Sequence, residues 1–371
     1  MKTSNDYGTL TGASQNKDDN TGRHFPCETC GADMVFHIGV QNLKCDHCGA
    51  VKTIERGDAS GIVEKDLRSF LDGQATQRPT TVSSDDRHEI HCNACGAGVV
   101  FSGPLTSTEC AYCGNPIQRR DVHQAEERIP VDGLLAFAVT RESAKENLGR
   151  WVKSRWFAPN AFKKRGVQGK FSGIYLPFWT FDAMTHSHYS GERGEHYYTG
   201  SGKSRRRQTR WYPAEGSFSR FFDDVLVCAW QKADHGILVA LEPWPLESVV
   251  PFAPEMMAGY LSMTYDISLG DGFKLGKERM DAALLAETHR RIGGDTQRVH
   301  SLRSQFDALT YKHIMLPVWL LAYKFKDKTY RLAVNACTGE VQGQRPYSII
   351  KITLAVLSAA AIVASLVFAN G

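Results

Sequence analysis

The chain has 371 residues, 42% of them hydrophobic and 23% charged, with a formal net charge of +4. That length exceeds one typical domain and permits a sizeable core. A pI near 8.4 is only mildly basic and falls well short of a dedicated nucleic-acid binder.

Residues 1–23 are rich in Asn, Asp, Thr, Gly and Ser and read as a disordered tail. They lack the apolar core of a signal peptide. A four-cysteine unit follows over 24–56, with Cys27, Cys30, Cys45 and Cys48. It recurs over 89–118 as Cys92, Cys95, Cys110 and Cys113, each 65 positions after its counterpart. In both copies 14 residues separate the two CxxC pairs, and a glycine follows every pair. Zinc takes four thiolates in a tetrahedron, and one CxxC turn offers two of them. The glycine tolerates the positive φ such a turn needs. The spacing therefore predicts two zinc ribbons, each holding one structural Zn2+, with iron in a rubredoxin-like site as the alternative metal. Matched quartets without a secretory signal argue against a disulfide framework and for a reducing compartment.

The linker over 57–88 carries Ile62, Val63, Leu67, Phe70 and Leu71 at helical spacing, which predicts a short amphipathic helix docked on its own ribbon, or else on a partner. A larger α+β domain is expected over 128–345. Its first helix spans about 140–156, capped near Thr140, with Leu148, Trp151, Val152 and Trp156 on one side. Strand-like sequence then fills 171–198 and 207–230, helical patterns cover 253–265 and 276–292, and strands return from 312. Ile174, Leu176, Pro177 and Trp179 match Ile314, Leu316, Pro317 and Trp319 at an offset of 140, suggesting a duplicated half. The final stretch, 347–369, carries one charge, Lys351, within its apolar run. It reads as a single transmembrane helix, with Arg345 and Lys351 favouring a cytoplasmic N-terminal bulk. The expected location is the inner, cytoplasmic membrane.

Several stretches could carry chemistry. TGSGKS at Thr199–Ser204 resembles a phosphate loop, but Tyr197 stands where its first glycine belongs, and neither the strand nor the helix of that motif flanks it. Arg205, Arg206, Arg207 and Arg210 lie beside Trp211 and Tyr212, a possible contact for anions, lipid headgroups or nucleic acid, or else a solvated hairpin tip. His186 and His188 share a strand face, without a third ligand placed by sequence. Cys228 and Cys337 sit in apolar strands and read as core thiols. No catalytic triad, cysteine–histidine pair or paired-carboxylate motif is recognisable.

The strings RWFAPNAFKK (155–164), GIYLPFWTFDA (173–183), TRWYPAEG (209–216), FDDVLV (222–227), IGGD (292–295) and 316–346, with the terminal helix, resemble the bacterial TFIIB-type zinc-ribbon membrane proteins. That family is often labelled primosomal protein N′ (replication factor Y)-like or helicase-like, but motor motifs are absent from this chain. The resemblance implies a membrane-bound protein with cytoplasmic zinc ribbons and envelope-associated partners of the SPFH or phage-shock type. The expected function is a non-enzymatic, tail-anchored adaptor that recruits protein partners. The alternative is a nucleic-acid-binding zinc-ribbon protein held at the membrane.

Overall fold

The computed structural model describes residues 25–57, 62–73, 87–91, 98–102, 105–109, 116–118, 129–165, 170–201, 204–325 and 328–369. The expected tail over 1–23 lies outside them. The first ribbon folds into β1 (Val35–His37), β2 (Asn42–Lys44) and β3 (Val51–Lys52), an antiparallel sheet. The linker supplies β4 (Lys65–Asp66) and α1 (Leu67–Gly73). The second repeat supplies β5 (Arg87–His91), β6 (Gly98–Ser102), β7 (Leu105–Glu109) and β8 (Pro116–Gln118). The main domain opens with β9 (Gly133–Leu134), α2 (Arg141–Ser154) and α3 (Asn160–Arg165). Two long strands follow, β10 (Lys170–Thr199) and β11 (Arg206–Cys228), then α4 (His235–Ala240), β12 (Val250–Pro251) and β13 (Leu261–Met263). The chain closes with α5 (Leu269–Ile292), β14 (Thr296–Phe325), β15 (Lys328–Asn335), β16 (Val341–Gly343) and α6 (Ile349–Ala369).

The main sheet is built on β10 and β14, 30 residues each and antiparallel from Lys170↔Ala322 to Gly194↔Thr296. β11 lies along the other edge of β10, and β15 along β14. The two Leu-Pro-x-Trp segments meet here, with Leu176 directly opposite Leu316. Their surroundings match. Trp179 Nε1 donates to the Ile267 carbonyl at 3.0 Å and Trp319 Nε1 to the Val139 carbonyl at 2.9 Å. The Pro177 carbonyl accepts from Ala229 N–H and the Pro317 carbonyl from Ala336 N–H. Each carbonyl that receives an indole stands just before a helix capped by a hydroxyl, Thr140 for α2 and Ser268 for α5.

Burial along β10 changes character at its middle. From Ile174 to Ala183 every residue is buried, because helices or loops cover both faces. On one face Tyr175 and Trp319 join the core under α2 and the first ribbon, and farther along Trp179 and Phe181 join Leu284 and Met280 of α5. On the other, Ile174, Leu176 and Phe178 pack under α4 with Leu241 and Trp244. Beyond Met184 burial alternates, with Thr185, Ser187 and Tyr189 covered and His186 and His188 exposed. There α5 covers one face only.

Three expectations are corrected. The first is the transmembrane span over 347–369, and with it the tail anchor and the single-pass placement at the cytoplasmic membrane. Among the described residues no helix is long and apolar enough to cross a membrane. α6 is apolar, yet Lys351 Nζ ties its first turn to the domain, donating to the carbonyls of Trp156 and Ala158 and to Asn160 Oδ1. The second concerns the linker helix. Only 67–73 is helical, Val63 is exposed, and the segment docks on the main sheet through β4 against Thr310 and Tyr311, with Leu67 fully buried under α5. The third concerns 253–265, which is a single 3-10 turn at Pro254–Met257 followed by strand β13, whereas α5 starts earlier than expected, at Leu269.

Candidate metal centre

Each CxxC of the first ribbon forms one tight turn. Gly31 N–H donates to the Cys27 carbonyl at 2.8 Å and Gly49 N–H to the Cys45 carbonyl at 2.9 Å. Gly31 and Gly49 take φ of 75° and 77°, values costly for a side chain with a Cβ. The two turns face one another across the β1–β2 hairpin. Cys27 Sγ lies 3.5 Å from Cys48 Sγ, and Cys30 Sγ 3.5 Å from Cys45 Sγ. All four sulfurs fall within 4.8 Å of one another. A zinc ion bonded to four thiolates at ~2.3 Å separates them by about 3.8 Å, so the set fits one tetrahedral ion. Backbone N–H groups of Thr29 and Cys30 bring the Cys27 thiol down to about 6, and those of Cys48 and His47 lower Cys45. Cys30 and Cys48 shift the other way, Cys30 up to about 12, through their contacts with the neighbouring sulfurs, so in the absence of a metal the fold favours the thiolate at Cys27 and Cys45 only. Four thiolates on one ion would close its shell and leave no position for substrate.

The ribbon is not a free module. Cys27 and Cys45 are buried, with Met34, Phe36 and Leu43 in one continuous core with Phe137, Tyr175, Met256 and Trp319. Phe36 N–H donates to the Ala258 carbonyl at 3.0 Å. Gln41 adopts φ 53° and its amide bridges the carbonyls of Ile38 and Phe137 at 2.7 and 2.8 Å. The other half of the ribbon faces outward: Glu28, Thr29, Cys30 and Asp46, His47, Cys48 are all exposed.

The second quartet, Cys92, Cys95, Cys110 and Cys113, lies outside the described residues. Its flanking strands are described, and Ile90, Phe101 and Ile117 form a small core of their own. Phe101 corresponds to Phe36 at the repeat spacing, and both are buried. This half also attaches to the domain. Ser107 Oγ donates to the Tyr260 carbonyl at 2.6 Å, Thr106 Oγ1 to Ser262 Oγ at 2.9 Å, and Gln118 Nε2 to the Pro254 carbonyl at 3.2 Å. Residues 254–263 thus form a saddle seated by both repeats. Gly259, at φ 86°, lies where a Cβ would come 3.1 Å from Val35 of the first ribbon.

Arg205, Arg206, Arg207 and Arg210 come together at the exposed tip of the β10–β11 hairpin. Arg205 stacks over Tyr198 at 4.0 Å and Arg210 over Tyr197 at 5.2 Å, and Tyr212 further holds the charge of Arg210. Inward of the tip, Arg298 stacks over Trp211 at 3.8 Å. Cys228 and Cys337 are core thiols whose burial pushes each up to about 12.

One polar constellation had no sequence motif to announce it. Asp182 is buried in mid-sheet, accepting from Asp224 N–H at 2.6 Å and from the Thr310 hydroxyl at 2.9 Å. Lys312 Nζ lies 2.8 Å from Asp224 and 3.3 Å from Glu64 of the linker. The pairing of β10 shifts register at this level on both sides, and Asp224 and Ala308 take φ of 49°. Such bulges re-aim side chains. Desolvation raises the Asp182 carboxyl. Desolvation pulls the Lys312 ammonium down, but Asp224, Asp182 and Glu64 more than reverse that, and its net shift is upward. The signal in the sequence was present but weak: charged residues, Asp182 and Lys312, inside otherwise apolar strands.

No protein-family model matches the sequence, and no solved structure matches it. The chain is similar to the uncharacterized protein YdjG of Bacillus subtilis (strain 168), 23% identical over 325 residues that cover 87% of this chain and 90% of that protein.

Proposed function

We propose that the protein is a non-enzymatic adaptor whose zinc-stapled ribbons present a binding surface to a protein partner. The build of the first quartet carries this reading: its inner half is buried in the protein's own core, while its two knuckles, 28–30 and 46–48, stand exposed. A closed four-thiolate shell supplies rigidity and no reactive position. The proposal includes a second structural zinc on Cys92, Cys95, Cys110 and Cys113, and membership of the bacterial TFIIB-type zinc-ribbon family that the sequence resembles. Affinity capture with the full chain tests the adaptor role, comparing the parent with Asp46→Lys/His47→Ala and with Cys48→Ser. A partner retained by the parent and lost from the knuckle variant, whose zinc content is unchanged, supports the reading. Identical captured proteins for all three would overturn it. Metal analysis of the purified chain is expected to return two zinc ions.

The ladder of arginines on aromatic rings at the hairpin tip favours a second reading, binding of a nucleic-acid strand. That reading requires affinity that falls steeply with salt and drops when Arg205, Arg206, Arg207 and Arg210 are neutralised.

A further inference from the structure

Beyond Met184 the face of β10, β11 and β14 opposite α5 is polar and uncovered. The strand register sets two rows across it. Ser219, His186 and Gln305 make the first, and Ser217, His188 and Arg303 the second. His186 Nδ1 is 2.7 Å from Ser219 Oγ, and His188 Nδ1 is 3.0 Å from Ser217 Oγ. Between the rows runs the backbone of Ser187, Phe218 and Ser304, with Phe218 turned into the α5 core. The rows flank an open hollow of about 550 Å³.

We infer that this hollow binds the phosphate group of a phosphorylated ligand. Two imidazoles two residues apart on a strand would by themselves suit a divalent metal. The register decides otherwise, because Arg303 stands directly opposite His188 and sets a fixed positive charge beside it. No carboxylate lines the hollow. Glu215 stands one row farther toward the tip, and Asp307 on the other side is paired with Arg68 at 3.2 Å. Among the described residues Arg303 makes no ion pair, so its guanidinium is available to an incoming anion. The rest of the set can donate as well. With each serine hydroxyl donating to Nδ1, the imidazole proton sits on Nε2 and points outward. Gln305 adds an amide. A phosphate, with three acceptor oxygens and charge, matches a guanidinium fork flanked by such donors.

The test is calorimetric titration of the full chain with inorganic phosphate, and separately with an oligothymidylate. The expected result is saturable phosphate binding that weakens at least tenfold in Arg303→Ala, is partly restored in Arg303→Lys, and is unaltered in Arg210→Ala. Thermal melting of each variant separates loss of the site from loss of the fold. His188→Gln, which keeps a donor there, should weaken binding less than Arg303→Ala does. No saturation at ~10 mM phosphate overturns the inference, as does phosphate binding unchanged by Arg303→Ala. Binding of the oligothymidylate alone, abolished by Arg210→Ala, would also overturn it and place anion binding at the hairpin tip, outside the hollow.

Discussion

Replacing Lys312 by Met tests the buried knot that clamps the linker to the sheet. The substitution keeps the aliphatic stem, so packing changes little and the charge is what is lost. The ammonium is 2.8 Å from Asp224, and the two side chains are only 14% and 23% exposed. At an effective dielectric of ~20 that contact is worth about 6 kcal/mol of Coulomb energy before desolvation. Glu64 is 46% exposed and adds under ~1 kcal/mol. What remains after removal is a pair of close carboxylates, Asp182 and Asp224, with no cation between them. Breaking a buried pair from one side costs ~3–5 kcal/mol, and with partial exposure we expect about 3. Urea denaturation at neutral pH measures it. The pH dependence fixes the cause. Burial already raises Asp182, so the fold favours its neutral form, and that contribution is present below the unfolded pKa of ~3.9 and lost as pH rises through the folded value. The penalty of Lys312→Met must therefore shrink as the medium is acidified through the Asp182 titration. Adding Asp182→Asn should recover part of the loss at neutral pH. A penalty below ~1 kcal/mol, or one that stays constant with acidification, would refute the reasoning.

Gly272→Ala should destabilise the protein by more than the ~1 kcal/mol that alanine gains in a helix, because its Cβ would stand 2.5 Å from Trp179 Cδ1; thermal melting checks the sign. Phe137 is fully buried, stacked on Tyr260 at 4.1 Å and edge-on to Trp319 at 5.1 Å, so Phe137→Ala should cost ~3–5 kcal/mol in denaturant. Chelating the metal should expose the Phe36 amide to hydrogen exchange and loosen the aromatic cluster around Tyr260, whereas protection in β10 near Tyr189 should persist.

Much of this architecture could be read from residue order. The largely apolar run from Ile174 to Ala183, broken only by Thr180 and Asp182, and the alternation that follows record where the sheet is covered on both faces and where on one. The 140-residue offset placed two equivalent strands, though not their direct pairing at Leu176 and Leu316. The first cysteine quartet was legible because metal geometry leaves few solutions for that spacing. Other features depend on contacts distant in sequence. The helical pattern seemed to begin at Gly276, but Gly272 and Gly276 both sit inside α5, where Trp179 and Phe181 approach its backbone. The saddle at 254–263 has helical periodicity and is instead held open by both cysteine repeats. Apolar character at 349–369 suggested a membrane span, while the bonds of Lys351 to the loop after α2 were invisible in one dimension. Asp182 and Lys312 carried no motif, since their partners come from the linker and from three different strands.

The seat of the first ribbon has a consequence for synthesis. Phe36 leaves the ribosome early, but the Ala258 carbonyl that receives its amide is made about 220 residues later. At ~5–20 residues per second that is a wait of roughly 10–45 s. Through that interval the four thiolates can already gather a metal, because both CxxC turns close on contacts within the ribbon. Met34, Phe36 and Leu43 cannot yet be covered. The newborn protein thus passes through a period in which the ribbon displays an apolar patch that the finished molecule hides. Elongation rate sets how long that patch stays open to other chains.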